Sequence, residues 1–111
     1  MAGRPDVPAI APSGLPDDAL LLDVREPEEW VAGHAPDAWH IPLADLPSRV
    51  DEIPRERRVV AVCRSGGRSA RATAWLAEQG YDAVNLDGGM TAWSAAGRPM
   101  VSETGAPPTV A

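Results

Sequence analysis

The run Val59-Val60-Ala61-Val62, followed at once by Cys63-Arg64-Ser65-Gly66-Gly67-Arg68-Ser69, constrains this chain more than any other stretch. Consecutive β-branched and small apolar residues read as a strand buried on both faces. Ser69 to Gln79 reads as a helix, with Ala72, Trp75, Leu76 and Gln79 on one face and Gly80 as the stop. A strand that feeds a helix through a tight loop is half of a βαβ unit, which points to a parallel sheet. Gly66 and Gly67 allow backbone angles closed to other residues, so the loop's N–H groups can turn inward. The helix adds its own unpaired amides and the positive end of its dipole. The only cysteine of the chain opens the loop. Its sulfur is expected at the floor of an anion cradle, with Arg64 and Arg68 beside it.

The rest of the chain repeats that alternation. Val7 to Ile10 is a weak strand, and Pro8 suits it to a sheet edge. Ala19 to Val24 is a second strand, apolar until Asp23. Pro27 to Ala32 reads as a short helix with its proline and glutamates in the first turn, closed by Gly33. Trp39 to Ile41 is a brief strand. Leu43 to Ile53 has helical spacing, interrupted at Pro47. Asp82 to Leu86 is the next strand, and Gly88-Gly89 turns the chain into a last helix from Met90 to Ala95. The expected architecture is α/β: a central, mostly parallel five-stranded sheet with helices on both faces. Such sheets place their sites at the carboxyl ends of the strands, where both Asp23 and Cys63 fall.

Length and charge narrow the function. With 111 residues the chain is expected to be a single domain over 1–111, with a core over about 7–100 and flexible tails at 1–6 and 102–111. A net charge of −6 argues against nucleic acid or an anionic membrane as partner. Against that background Arg64, Arg68 and Arg71 lie in a stretch free of Asp and Glu, a local positive field around one thiol. One cysteine permits no internal disulfide, and two distant histidines give no zinc spacing, so neither metal nor cofactor is expected. No leader-like or membrane-length apolar run is evident, which makes a cytoplasmic monomer the default.

The loop Cys63-Arg64-Ser65-Gly66-Gly67-Arg68-Ser69 after its strand resembles the active-site loop of the rhodanese-type sulfurtransferases. Leu21-Leu22-Asp23-Val24-Arg25-Glu26-Pro27-Glu28-Glu29-Trp30, Gly33-His34 and Ile41-Pro42-Leu43 are similar to the family's amino-terminal half. Gly88-Gly89-Met90-Thr91-Ala92-Trp93 and Gly97-Arg98-Pro99 are similar to its carboxyl-terminal end. The family's Gly-His-Ile-Pro-Gly-Ala is here Gly33-His34-Ala35-Pro36-Asp37-Ala38, a departure that leaves the cysteine loop untouched. The resemblance implies a rhodanese-like fold and sulfur transfer: Cys63 takes the outer sulfur of an anionic donor such as thiosulfate as a persulfide and passes it to a thiophilic acceptor, a small molecule or a protein thiol. Arg64, Ser65, Gly66, Gly67, Arg68 and Ser69 would then bind the anion.

Two other readings compete. A rhodanese-like module without activity could dock a partner, although an intact cysteine loop counts against it. A cysteine-dependent phosphatase or arsenate reductase would use Cys-x5-Arg, whereas Arg68 makes Cys-x4-Arg, a tighter bowl less suited to a tetrahedral oxyanion. Around the loop, Asp23 is expected to bond loop N–H or hydroxyl groups and brace it, and Arg25 to pair with Glu29. Ser65 and Ser69 are expected either to hydrogen-bond the sulfur or to hold the loop, with Ser69 also suited to a cap or supporting role. Arg71 is expected at the surface or stacked on Trp75, and His34 and His40 as structural residues. Trp30 or Trp39 could line an acceptor surface.

Overall fold

The computed structural model describes residues 5–111. Its sheet has five strands, β1 (Ala9–Ile10), β2 (Leu20–Asp23), β3 (Trp39–His40), β4 (Val59–Val62) and β5 (Ala83–Leu86), in the order β1-β5-β4-β2-β3. Every pairing between them is parallel. The two-residue strands sit at the edges, where Pro8 and the turn residues around each limit their length.

The helices are α1 (Pro27–Ala32), α2 (Leu46–Arg49), α3 (Gly67–Glu78) and α4 (Gly89–Ala95). Pro27 opens α1 and Gly33 closes it. The expected helix over 43–53 is three pieces: α2 lies between 3-10 turns at Leu43–Asp45 and Val50–Glu52. Pro47, at the start of α2, lacks the N–H that a continuous helix through this point would use. Helix α3 begins at Gly67, ahead of the expected Ser69, because left-handed Gly66 (φ 115°) reverses the chain there and its carbonyl accepts the Ala70 N–H.

Side chains alternate across the sheet with period two, and this divides the core. Leu20, Leu22, Val59, Ala61 and Cys63 face one way, onto Leu46 of α2 and Ala72 and Leu76 of α3. Leu21, Val60, Val62, Val84 and Leu86 face the other way, onto Met90 and Trp93 of α4. The β2–β4 register pairs Asp23 with Val62, so both central strands end at one level and Cys63 emerges toward α3.

The carboxyl-terminal segment makes contacts that its composition does not announce. Val101 pairs antiparallel with His34, the Glu103 N–H donates to the Val31 carbonyl, and the Thr109 N–H donates to the Ala32 carbonyl. Val110 packs against the α4-side core. Gly33 lies so close to this segment that a Cβ there would collide with the Thr109 backbone. Of the loose start expected over 1–6, residues 1–4 lie outside the described residues.

Candidate active site

The cradle forms as the residue pattern requires. The Gly66 N–H donates to the Cys63 Sγ at 3.1 Å, and the Ser69 hydroxyl donates to it at 3.2 Å. Ser69 is thus a direct partner of the sulfur. Burial is the largest single influence on the thiol and raises its pKa. The Ser69 hydroxyl and the backbone N–H groups of Ser69, Gly66 and Ser65 together outweigh it, so the pKa falls below the ordinary value. The sulfur therefore sits in a nearly closed pocket, 1% exposed for the residue, that nevertheless favours its anion.

Two further elements fix the loop's backbone. At the start of α4, the Met90 N–H donates to the Cys63 carbonyl at 2.8 Å and the Thr91 N–H to the Arg64 carbonyl at 3.0 Å. These unpaired helix-start amides satisfy loop carbonyls directly. Gly89 makes the approach possible: a Cβ there would lie 2.6 Å from the carbonyl carbon and oxygen of Arg64. From β5, Asn85 Nδ2 donates to the Gly66 carbonyl at 3.0 Å. Asn85 is a site residue that the sequence reading missed, although a polar amide inside the apolar run Ala83–Leu86 is a visible signal.

The charged residues are arranged differently from expectation. Arg25 does not pair with Glu29. Its Nε and Nη2 grip both oxygens of Asp23 at 2.7–3.1 Å, and Nη2 also donates to the Gly33 carbonyl at 2.7 Å. Asp23 does not brace the loop through its carboxylate; it is consumed by Arg25, with both residues at 0% exposure. The reason is local. Residues i and i+2 at a strand end point to the same side, and a carboxylate with no water satisfies its charge with the nearest fixed cation. The pair is fully buried at the end of β2, and Arg25 Nη1 has no hydrogen-bond partner among the described residues.

Glu29 instead takes Arg68. The two form a bidentate pair, Nη1 to Oε1 at 2.6 Å and Nη2 to Oε2 at 2.9 Å. This side-chain bond is the main reason that the Glu29 pKa falls to about 2 and that of Arg68 rises. The arginines are consequently not the chief support of the sulfur: neither is among the main influences on Cys63, although the Cys63 charge does act on Arg68. Arg64 and Ser65 are exposed at the rim, Gly67 begins α3 half-buried, and Arg71 is on the surface.

Trp30 and Trp39 are engaged in different ways. Trp30 stacks on His34 at 3.6 Å and on His40 at 4.7 Å between ring centres. His40 Nε2 donates to the Arg25 carbonyl, and His34 lies between the Ala35 carbonyl and Glu103, so both histidines tie segments together. Trp39 lines a cleft of about 480 Å³ with Leu20, Trp93 and Arg98, near the amino ends of the strands. Among the described residues no helix is long and apolar enough to cross a membrane.

Comparison with known proteins agrees with this geometry. The Rhodanese-like domain pattern matches residues 10–96. A sulfurtransferase of Allochromatium vinosum is 48% identical over 90 residues, covering 80% of this chain and 84% of the relative. A putative sulfurtransferase of Bacillus subtilis is 40% identical over 83 residues, covering 75% and 81%. The crystal structure of a rhodanese-related protein from Thermoplasma volcanium superposes with a TM-score of 0.81 at 30% identity, covering 85% of this chain and 97% of that one. With its parallel sheet, its strand-end cysteine and these relatives, the chain belongs to the family of rhodanese-like domains.

Proposed function

We propose that this protein is a sulfurtransferase that carries a sulfane sulfur on Cys63. The thiolate attacks the outer sulfur of an anionic donor such as thiosulfate. The donor's S–S bond breaks, sulfite leaves with the electron pair, and Cys63 keeps the sulfur as a persulfide. A thiophilic acceptor, such as cyanide, a small thiol or a protein thiol, then attacks that outer sulfur and returns Cys63 to the thiolate. The observation that carries this reading is the Cys63 Sγ held by the Gly66 N–H and the Ser69 hydroxyl at the end of the central strand. Preorganised donors of this kind stabilise thiolate, persulfide and leaving anion alike. The names of the relatives support the same chemistry.

The loop spacing speaks against phosphoryl or arsenate chemistry. Cys63-x4-Arg68 gives a small bowl, and the closing arginine is already bound by Glu29. A partner-docking module without catalysis would not need a thiol with a lowered pKa.

The test is the intact mass of the protein after exposure to a sulfane donor. A gain of one sulfur, removed by cyanide and absent from Cys63→Ala, is the expected result. No adduct with thiosulfate or any persulfide would overturn it. Turnover of an aryl phosphate that is lost in Cys63→Ala would favour the phosphatase reading instead.

A further inference from the structure

The charge at the mouth of the site is set from outside the loop. Glu29 reaches across from α1, 39 residues earlier in sequence, and binds both terminal nitrogens of Arg68. The side chains are 15% and 32% exposed, so the contact is shielded on the Glu29 side. Glu29 is itself held in place, since its Oε1 also accepts the Glu26 N–H in a capping box at the start of α1. Charges can be tallied around the sulfur. Cys63 as thiolate and Glu29 are negative, Arg68 and the exposed Arg64 are positive, and the buried Arg25 is already matched by Asp23. Glu26 adds a further negative influence on Arg68. The loop by sequence offers two cations to one thiolate; the folded site offers a balanced field.

We propose that Glu29 sets the donor class of this site, selecting an alkyl persulfide, R–S–SH, over a dianion such as thiosulfate. The assignment rests on the sulfurtransferase reading above and narrows it. An incoming dianion meets no surplus positive charge and must compete with a fixed carboxylate for the Arg68 guanidinium. A persulfide, neutral or singly charged, does not depend on that guanidinium. Its transfer balances simply: the Cys63 thiolate attacks the outer sulfur of R–S–SH, the S–S bond breaks, the thiolate RS⁻ leaves with the electron pair, and Cys63–S–SH remains. The exposed rim at Arg64 and Ser65 leaves the R group toward solvent. Glu29 is a positioning residue in this scheme, acting through Arg68.

The test compares kcat/KM for thiosulfate with kcat/KM for 2-hydroxyethyl persulfide, HOCH2CH2–S–SH, whose R group is uncharged, in wild type and in Glu29→Gln. Glutamine preserves an acceptor for the Glu26 N–H, so α1 keeps its cap. The thiosulfate-to-persulfide ratio is expected to rise about tenfold, chiefly through a lower KM for thiosulfate, as removal of one nearby charge implies. Adding Arg68→Met to Glu29→Gln is expected to abolish that gain, which a merely structural role for Glu29 would not do. A ratio that stays level or falls in Glu29→Gln, in protein with an unchanged circular dichroism spectrum, overturns the assignment; if that spectrum changes, Glu29→Asp, which keeps the charge, decides by holding the wild-type ratio or losing it. If wild type acquires no sulfur from either donor, it is the sulfurtransferase reading that fails.

Discussion

The Ser69 hydroxyl lies 3.2 Å from the Cys63 Sγ and donates to it, from the first turn of the helix that the same loop introduces. Sulfur and donor are placed by one continuous piece of chain, so their separation depends little on how distant elements pack. Ser69→Ala removes the leading favourable influence on the thiolate. The apparent pKa of Cys63 is expected to rise, moving the pH profile of alkylation to higher pH. Iodoacetamide reaction rates check this directly, because the chain has one cysteine. An unmoved profile would mean that the amides alone hold the anion.

The Glu29–Arg68 pair predicts a specific acid response. Glu29 is an acid whose folded pKa is depressed, from 4.5 to about 2. Its contribution to stability is therefore fully present above pH 4.5 and lost as pH falls toward about 2. Across that window Glu29→Gln should lose less stability than wild type. Urea midpoints measured at steps through the window would show the two curves converging on the acid side.

Asp23→Ala strands a fully buried guanidinium, since Asp23 supplies most of the Arg25 bonds. The expected loss is about 3–5 kcal/mol. Urea unfolding followed by tryptophan fluorescence measures it. The double replacement Asp23→Leu with Arg25→Met should recover a large part of that loss, because no charge is then left without a partner.

Gly89→Ala pushes a methyl group into the Arg64 carbonyl at a residue with φ of 60°. Displacing the loop breaks the Met90 and Thr91 contacts that define the pocket from the α4 side. We expect a destabilisation of about 1–3 kcal/mol and a disproportionate fall in the rate of sulfur loading on Cys63. Thermal unfolding and time-resolved intact mass separate the two effects.

The sequence made the strand–helix alternation and the Cys63 loop plain because both are local: an apolar run, a glycine turn, an amphipathic helix. What it left obscure is what closes over distance. Nothing in Arg68 announces Glu29, because opposite charges far apart in sequence have many possible partners. The Asp23–Arg25 pair was legible in principle, since two residues spaced by two on an extended segment share a side, but Glu29 offered an equally plausible helix-spaced partner for Arg25. Asn85 was visible as an amide in an apolar strand, without a hint of which carbonyl it serves. The segment after Val101 is rich in proline and small residues, which reads as loose, yet its contacts are mostly backbone bonds to α1 that composition does not encode.

The register of β4 against β2 carries a consequence for any insertion or deletion in that strand. Val62 lies beside Asp23, and the next residue turns its side chain toward α3. Removing a single residue from the Val59–Val62 run would invert every side chain after it, turning the thiol, together with the loop that carries Ser69, away from the α3 side of the sheet. The letters of the cysteine loop would all survive such a change, and a reader of motifs would still score a match; the nucleophile would have been lost to parity.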